Sequence, residues 1–190
     1  VNFKLRHICV FSIKKVMKSR KNIVFLGMMG SGKTSIGSLI SKKLNLDFFD
    51  VDHHIEKSLK VKISKIFKNK GEKFFREIEE KITLDILKKN NIVISLGGGA
   101  FLNNTIRKEI LSNHISFWLK VDLNTVLHRI KNSSKRPIAF NLNKKELNNL
   151  LKNRSKIYSK ALYSVNCTGL TKNEIVKQII DIYEANEAIN

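Results

Sequence analysis

The sequence predicts an α/β protein, a three-layer α/β/α sandwich built on a five-stranded parallel sheet. Three observations carry this. Short apolar runs alternate with longer amphipathic stretches along most of the chain, the βαβ rhythm of a parallel sheet with helices on both faces. The first apolar run, residues 22–26, feeds Gly27-Met-Met-Gly-Ser-Gly-Lys-Thr34, a GxxxxGK[ST] loop followed at once by a helix-like stretch. At 190 residues the chain fits one domain, large enough to bury roughly 70% of its unfolded surface without staples. The loop makes the fold one of the P-loop NTPase type.

Taken in order, strand 22–26 leads through the loop to helix 33–44, and strand 47–50 to helix 53–60. Helices follow across 63–69 and 72–89, then strand 92–96, which ends in the turn Gly97-Gly98-Gly99. Next come a helix near 104–112, strand 115–120 and helix 123–131. The Lys/Asn/Ser-rich stretch holding Arg136-Pro137 is expected to form a mobile lid, at about 131–147. Helix 144–160, a short strand at 163–167 and helix 171–187 complete a single domain over 22–190, without internal repeats or a linker. Residues 1–21 carry seven Lys or Arg and no acid, and the chain begins with Val1. The expectation is that translation starts at Met17 and that residues 1–16 are an extension rather than part of the fold; a basic, acid-free leader also resembles a targeting peptide.

Composition narrows the function. Cys9 and Cys167 lie far apart with no ligand spacing, which excludes a disulfide framework and a zinc site. No apolar run reaches the roughly 18 residues that cross a bilayer. A cytoplasmic monomer without membrane or specific nucleic-acid partner is expected. The formal charge of +20 comes from lysines spread through every segment, a diffuse field that recruits small anions rather than one basic face. Against 29 lysines there are 7 arginines, among them Arg76, Arg129, Arg136 and Arg154, so each asks what a planar five-donor fork does there.

The loop has a direct chemical reading. Glycines 27, 30 and 32 let successive N–H groups turn inward around a phosphate, Lys33 reaches the terminal phosphates, and the Thr34 hydroxyl binds Mg²⁺. After the second strand, Asp50-Val51-Asp52 alternates so that both carboxylates share one side of an extended segment, one for Mg²⁺ and one for a hydroxyl substrate; the alternative is that Asp52 caps the next helix. His53 and His54 read as surface residues. Gly97, Gly98 and Gly99 present bare backbone to a substrate, and Arg76 and Glu79, three apart on one helix face, let the carboxylate aim the guanidinium.

With these residues in place the chain resembles the shikimate kinase family, from about Asn22 to the C-terminal helix. The resemblance rests on GMMGSGKT at 27–34, Asp-x-Asp at 50–52, Gly-Glu-x-x-Phe-Arg-x-x-Glu at 71–79, Gly-Gly-Gly-Ala at 97–100, Arg-Pro at 136–137 and Asn-Arg-x-x-x-Tyr at 153–158. It implies transfer of the ATP γ-phosphoryl group to the 3-hydroxyl of shikimate, toward chorismate and the aromatic amino acids. Gly30, Ser31, Gly32, Lys33, Thr34 and Ser35 would hold ATP, with Asp50 supporting the metal. Asp52 would hold the substrate hydroxyls and take the proton, while Arg76, Arg154 and the backbone of Gly97, Gly98 and Gly99 clamp the substrate. Lys33 and Arg136, the latter on the lid, would stabilise the charge in transfer, and Arg129 would lie beside adenine. The lid departs from the family in reading Arg136-Pro-Ile-Ala-Phe, where leucines usually follow the proline, and Asn166-Cys-Thr-Gly-Leu170 lacks the usual Asp/Thr-rich pattern. Competing readings are a gluconate or nucleoside monophosphate kinase and a basic nucleic-acid-binding P-loop protein.

Overall fold

The computed structural model describes residues 21–131 and 143–189. In chain order the strands are β1 (Ile23–Leu26), β2 (Asp47–Asp50), β3 (Ile92–Ser95), β4 (Ile115–Lys120) and β5 (Tyr163–Asn166). The helices are α1 (Lys33–Leu44), α2 (Val51–Leu59), α3 (Ile63–Leu87), α4 (Asn104–Asn113), α5 (Leu123–Lys131), α6 (Lys144–Tyr158) and α7 (Lys172–Ile189). All five strands are parallel, in the order β2-β3-β1-β4-β5.

Strand β1 shows why a sandwich forms. All four of its residues are buried, and successive side chains serve opposite faces. Ile23 and Phe25 join the layer of Ile36, Ile40, Ile175, Ile179 and Tyr183 from α1 and α7. Val24 and Leu26 join Val51, Ile55, Phe75, Ile86, Ile106 and Ile110 from α2, α3 and α4. The chain runs outward from β1 to β2, returns through β3, and only then crosses to β4, so the topology switches beside β1, where a crevice opens at the carboxyl ends of the strands. The buried Asn22 side chain locks the base of this arrangement: its Nδ2 donates to Lys89 O at 2.6 Å and Leu87 O at 3.3 Å, and its Oδ1 accepts from Ile92 N at 3.2 Å.

The two helices expected at 63–69 and 72–89 form one element broken at Gly71, whose φ of 79° and ψ of 174° no helix accommodates. Helix α2 starts at Val51, two residues earlier than expected, because Asp50 is its cap. A 3₁₀ turn over Ala100–Leu102 was not foreseen, and α6 ends at Tyr158, two residues short of the expected end. At the far end of the expected lid, Asn143 and Glu146 form a capping box that starts α6. Arg136 and Pro137, like Met17, lie outside the described residues.

Candidate active site

The loop between β1 and α1 depends on left-handed backbone. Gly27, Gly30 and Gly32 have φ of 142°, 77° and 100°, and a Cβ at Gly27 would also come within 2.8 Å of Leu119 O. The Lys33 ammonium folds back over the loop, donating to Gly27 O at 2.9 Å and Met28 O at 3.0 Å. Arg129, from α5, braces the opposite side by donating through Nη1 to Gly30 O at 2.8 Å. The Ser31 hydroxyl is buried with no partner among the described residues. Since α1 begins at Lys33, its free N–H groups and positive dipole end face this concavity, with Thr34 and Ser35 exposed at the rim. The arrangement can hold an anionic phosphate chain.

The two aspartates depart from the sequence expectation. They do not share one side of an extended strand, because the chain turns helical between them. Asp50 is the cap of α2, accepting from His53 N at 3.1 Å, while its other oxygen accepts from the Thr34 hydroxyl at 2.6 Å. Asp52 lies in the first turn of α2 and does not cap it. Its carboxylate turns toward the glycine turn after β3, where a Cβ on Gly97 would lie 2.6 Å from Asp52 Oδ1 and 2.5 Å from Glu79 Oε1. The helical start separates a carboxylate facing the phosphate loop from one facing the glycine turn.

That turn gathers the remaining candidates. Arg76 lies against Gly99, leaving no room for a Cβ. Its fork is held from two sides: Nη1 donates to Glu79 Oε2 at 2.5 Å, and Nε and Nη2 donate to Glu72 Oε1 at 3.2 and 2.9 Å. From α6, Arg154 donates through Nη1 to Gly98 O at 3.2 Å and lies 3.9 Å from Met28 Sδ. It is 8% exposed, and its Nε has no partner among the described residues. The Tyr158 hydroxyl donates to the same Gly98 carbonyl. A Cβ on Gly98 would be 3.7 Å from Met29 N, so the glycine turn and the phosphate loop share a wall.

Electrostatics follow from burial. Glu79 is 2% exposed, and burial pushes its carboxyl above the usual range; Arg76 pulls the other way and Asp52 adds to the rise. Burial works against the Arg76 cation, but Glu79 and Glu72 outweigh it and hold its pKa above the usual guanidinium value. The Tyr158 hydroxyl is pushed up by burial, so it stays a donor. Buried Cys167 is pushed up to about 11, again by burial, which leaves an unreactive thiol.

The structure thus brings Asp52, Arg76, Gly97, Gly98, Gly99 and Arg154 to one turn, and Gly30, Ser31, Gly32, Lys33, Thr34, Ser35, Asp50 and Arg129 to the adjoining loop. Arg136 falls outside the described residues. Sequence reasoning quoted Tyr158 within a motif but gave it no task. The available signal was its spacing, one helical turn after Arg154 and therefore on the same face. Glu72 was likewise unassigned, although it precedes Arg76 by one turn.

Fold and site together define a P-loop kinase of small-molecule type. The sequence model of the shikimate kinase family matches residues 29–184, and the chain belongs to that family. Shikimate kinase of Bartonella quintana is 37% identical over 92% of this chain and 85% of its own length. That of Thermodesulfovibrio yellowstonii is 41% identical over 86% and 95%. Among solved structures, shikimate kinase from Acinetobacter baumannii in complex with shikimate superposes with a TM-score of 0.83 at 27% identity, covering 87% of this chain and 94% of that one. A deoxyadenosine kinase from M. mycoides, at 20% identity and a TM-score of 0.60 over 86% of this chain and 99% of its own, shares the fold.

Proposed function

We propose that the chain transfers the γ-phosphoryl group of ATP to the 3-hydroxyl of shikimate, giving shikimate 3-phosphate and ADP. The observation that carries this is the shared wall: a Cβ on Gly98 would lie 3.7 Å from Met29 N, and Arg154, bonded to Gly98 O, reaches Met28 Sδ, so an acceptor on the turn lies next to a phosphate in the loop. Transfer then needs no large movement of either reactant.

The acceptor carboxylate is gripped by Arg76 and Arg154, whose planar forks suit bidentate pairing. The glycine backbone fixes the ring, and Asp52 accepts hydrogen bonds from the hydroxyls. As the hydroxyl oxygen forms its bond to the γ-phosphorus and the bond to the ADP oxygen breaks, Asp52 takes the hydroxyl proton. Lys33 follows the terminal phosphates, and Arg129 steadies the loop and the adenine side. Arg136 would supply a further cation, and Arg136→Ala should lower kcat by at least about a hundredfold with little change in acceptor affinity.

A divalent cation fits this donor set. Thr34 and Asp50 give an exposed hydroxyl and carboxylate, hard oxygen ligands beside the phosphate loop, and Mg²⁺ characteristically takes one or two protein oxygens and keeps its waters. When bound, Mg²⁺ would neutralise charge on the phosphates. Thr34 and Asp50 would hold it beside the loop.

No helix among the described residues is long and apolar enough to cross a membrane. A monomer working in the cytoplasm belongs to the same proposal, and the free, buried Cys167 is in keeping with a reducing compartment. The deciding experiment is ADP release with and without shikimate, alongside gluconate and nucleoside monophosphates. Shikimate alone should stimulate turnover. Stimulation by another acceptor, or salt-sensitive RNA binding without stimulation, would overturn the assignment.

A further inference from the structure

We infer that Tyr158 is a positioning residue for the acceptor, acting through the Gly98–Gly99 peptide rather than by touching substrate. The inference rests on the reading of the glycine turn as the acceptor site. Tyr158 is 2% exposed and ends α6, its ring packed 6.1 Å from that of Trp118. Its hydroxyl has one described acceptor, the Gly98 carbonyl, which also receives Arg154 Nη1. Two donors one helical turn apart therefore seize the same oxygen.

The consequence lies on the other side of the peptide plane. No peptide bond described is cis, so the Gly98 carbonyl and the Gly99 N–H point in opposite directions across one rigid unit. Pinning the oxygen toward α6 fixes the N–H away from it. Within the described residues neither the Gly98 nor the Gly99 amide donates inside the fold, whereas the Ala100 amide closes the turn onto Gly97 O at 3.2 Å. Gly99 N–H is thus an oriented donor left for a ligand, and its aim is set from behind.

Glycine makes the restraint necessary. A Gly-Gly peptide has no side chains to bias its rotation, so without an external hold it samples several orientations and binding must freeze one. Arg154 alone holds poorly, because the same guanidinium is needed for the acceptor carboxylate. The phenol carries no such duty toward the acceptor, and its hydroxyl, which also lies in hydrogen-bonding contact with the Arg154 side chain, is the donor left to hold the carbonyl. It remains protonated, and hence a donor, because burial disfavours its anion. The bond also couples the two grips: a shift of Gly98 displaces Arg154 and the free amide together.

The test is Tyr158→Phe, which keeps the ring and its packing on Trp118 and removes one hydroxyl. The KM for shikimate should rise by at least about tenfold while the KM for ATP and the midpoint of thermal unfolding stay close to the parent's. Replacing Tyr158 with 4-aminophenylalanine, whose N–H still donates to a carbonyl, should restore most of the acceptor KM. In the folded Phe variant the Gly99 amide resonance should lose its shikimate-induced shift. An acceptor KM within twofold of the parent, or a parallel rise in both KM values, would overturn the inference; the second pattern marks a merely structural hydroxyl. Should the Phe variant not fold, failure of the amino analogue to recover the parental acceptor KM would overturn it equally. A parent chain inert toward shikimate would instead overturn the functional reading on which this rests.

Discussion

The two halves of the site both rely on glycine, for opposite reasons. In the phosphate loop the glycines are required by backbone angle: Gly27, Gly30 and Gly32 all sit at positive φ. In the acceptor turn they are required by space. None of Gly97, Gly98 and Gly99 has a positive φ, yet a Cβ at Gly97 would press on two carboxylates and one at Gly99 on a guanidinium. The first half is a shape the chain makes by itself. The second is a gap left by side chains arriving from α2, α3 and α6.

The largest expected effect bears on whether the acceptor half does chemistry or only holds. Asp52→Asn retains shape and removes the base, so kcat should fall by about two to four orders of magnitude in steady-state assays. A rise confined to the shikimate KM would make this half purely a holder. Next come Arg76→Lys and Arg154→Lys, which keep the charge and lose the fork. Calorimetry should show a loss of roughly 2 to 5 kcal/mol in shikimate binding with ATP binding unaltered, and parental shikimate affinity would dismantle the clamp.

Gly32→Ala and Gly97→Ala address the comparison itself. The first places Cβ at a φ of 100° and should cost about 1 to 3 kcal/mol in urea unfolding, with the KM for ATP raised. The second has no angle to violate and should raise the KM for shikimate roughly tenfold through crowding of Asp52 and Glu79. If each variant damaged both KM values equally, the halves would be one unit. The smallest effect concerns Glu79. Its folded-state pKa lies above the unfolded value, so the stability it contributes is full below about pH 4.5 and declines as pH rises through the raised value. Glu79→Gln cannot ionise. Urea unfolding from pH 4.5 upward should therefore show the variant gaining on the parent, and a parent gaining on the variant would mean that pairing with Arg76 outweighs burial.

The same contrast explains what could be read from sequence. The phosphate loop spans eight consecutive residues, 27–34, so its identity, its flanking strand and its helix were visible together. The acceptor turn joins residues from 52 to 158, and spacing alone cannot show that Tyr158 reaches Gly98 or that Asp52 and Glu79 meet at Gly97. Asp50 and Asp52 were read as a pair because alternation is a rule of strands. The rule ended one residue too soon, since Asp50 accepts the His53 amide and starts the helix. Strand β1 was legible because Ile-Val-Phe-Leu leaves few alternatives, whereas β2, Asp-Phe-Phe-Asp, and β5, Tyr-Ser-Val-Asn, were legible mainly from their place in the alternation with helices. The 3₁₀ turn at Ala100–Leu102 was not, because nothing in Ala-Phe-Leu distinguishes it from helix or coil.

Asn45 and Asn91, with φ of 53° and 59°, bracket the span that holds β2, α2 and α3. That span contributes only the edge strand of the sheet, and the three hydrogen bonds of Asn22 close it where it returns. It is a cassette. It carries Asp52, Arg76 and Glu79 of the acceptor half but also Asp50 of the phosphate half, while Gly97, Gly98, Gly99 and Arg154 lie outside it. A chimaera that exchanges residues 46–91 between kinases of different substrate therefore has to retain Asp50 beside Thr34 and an insert that still fits the glycine turn and Arg154.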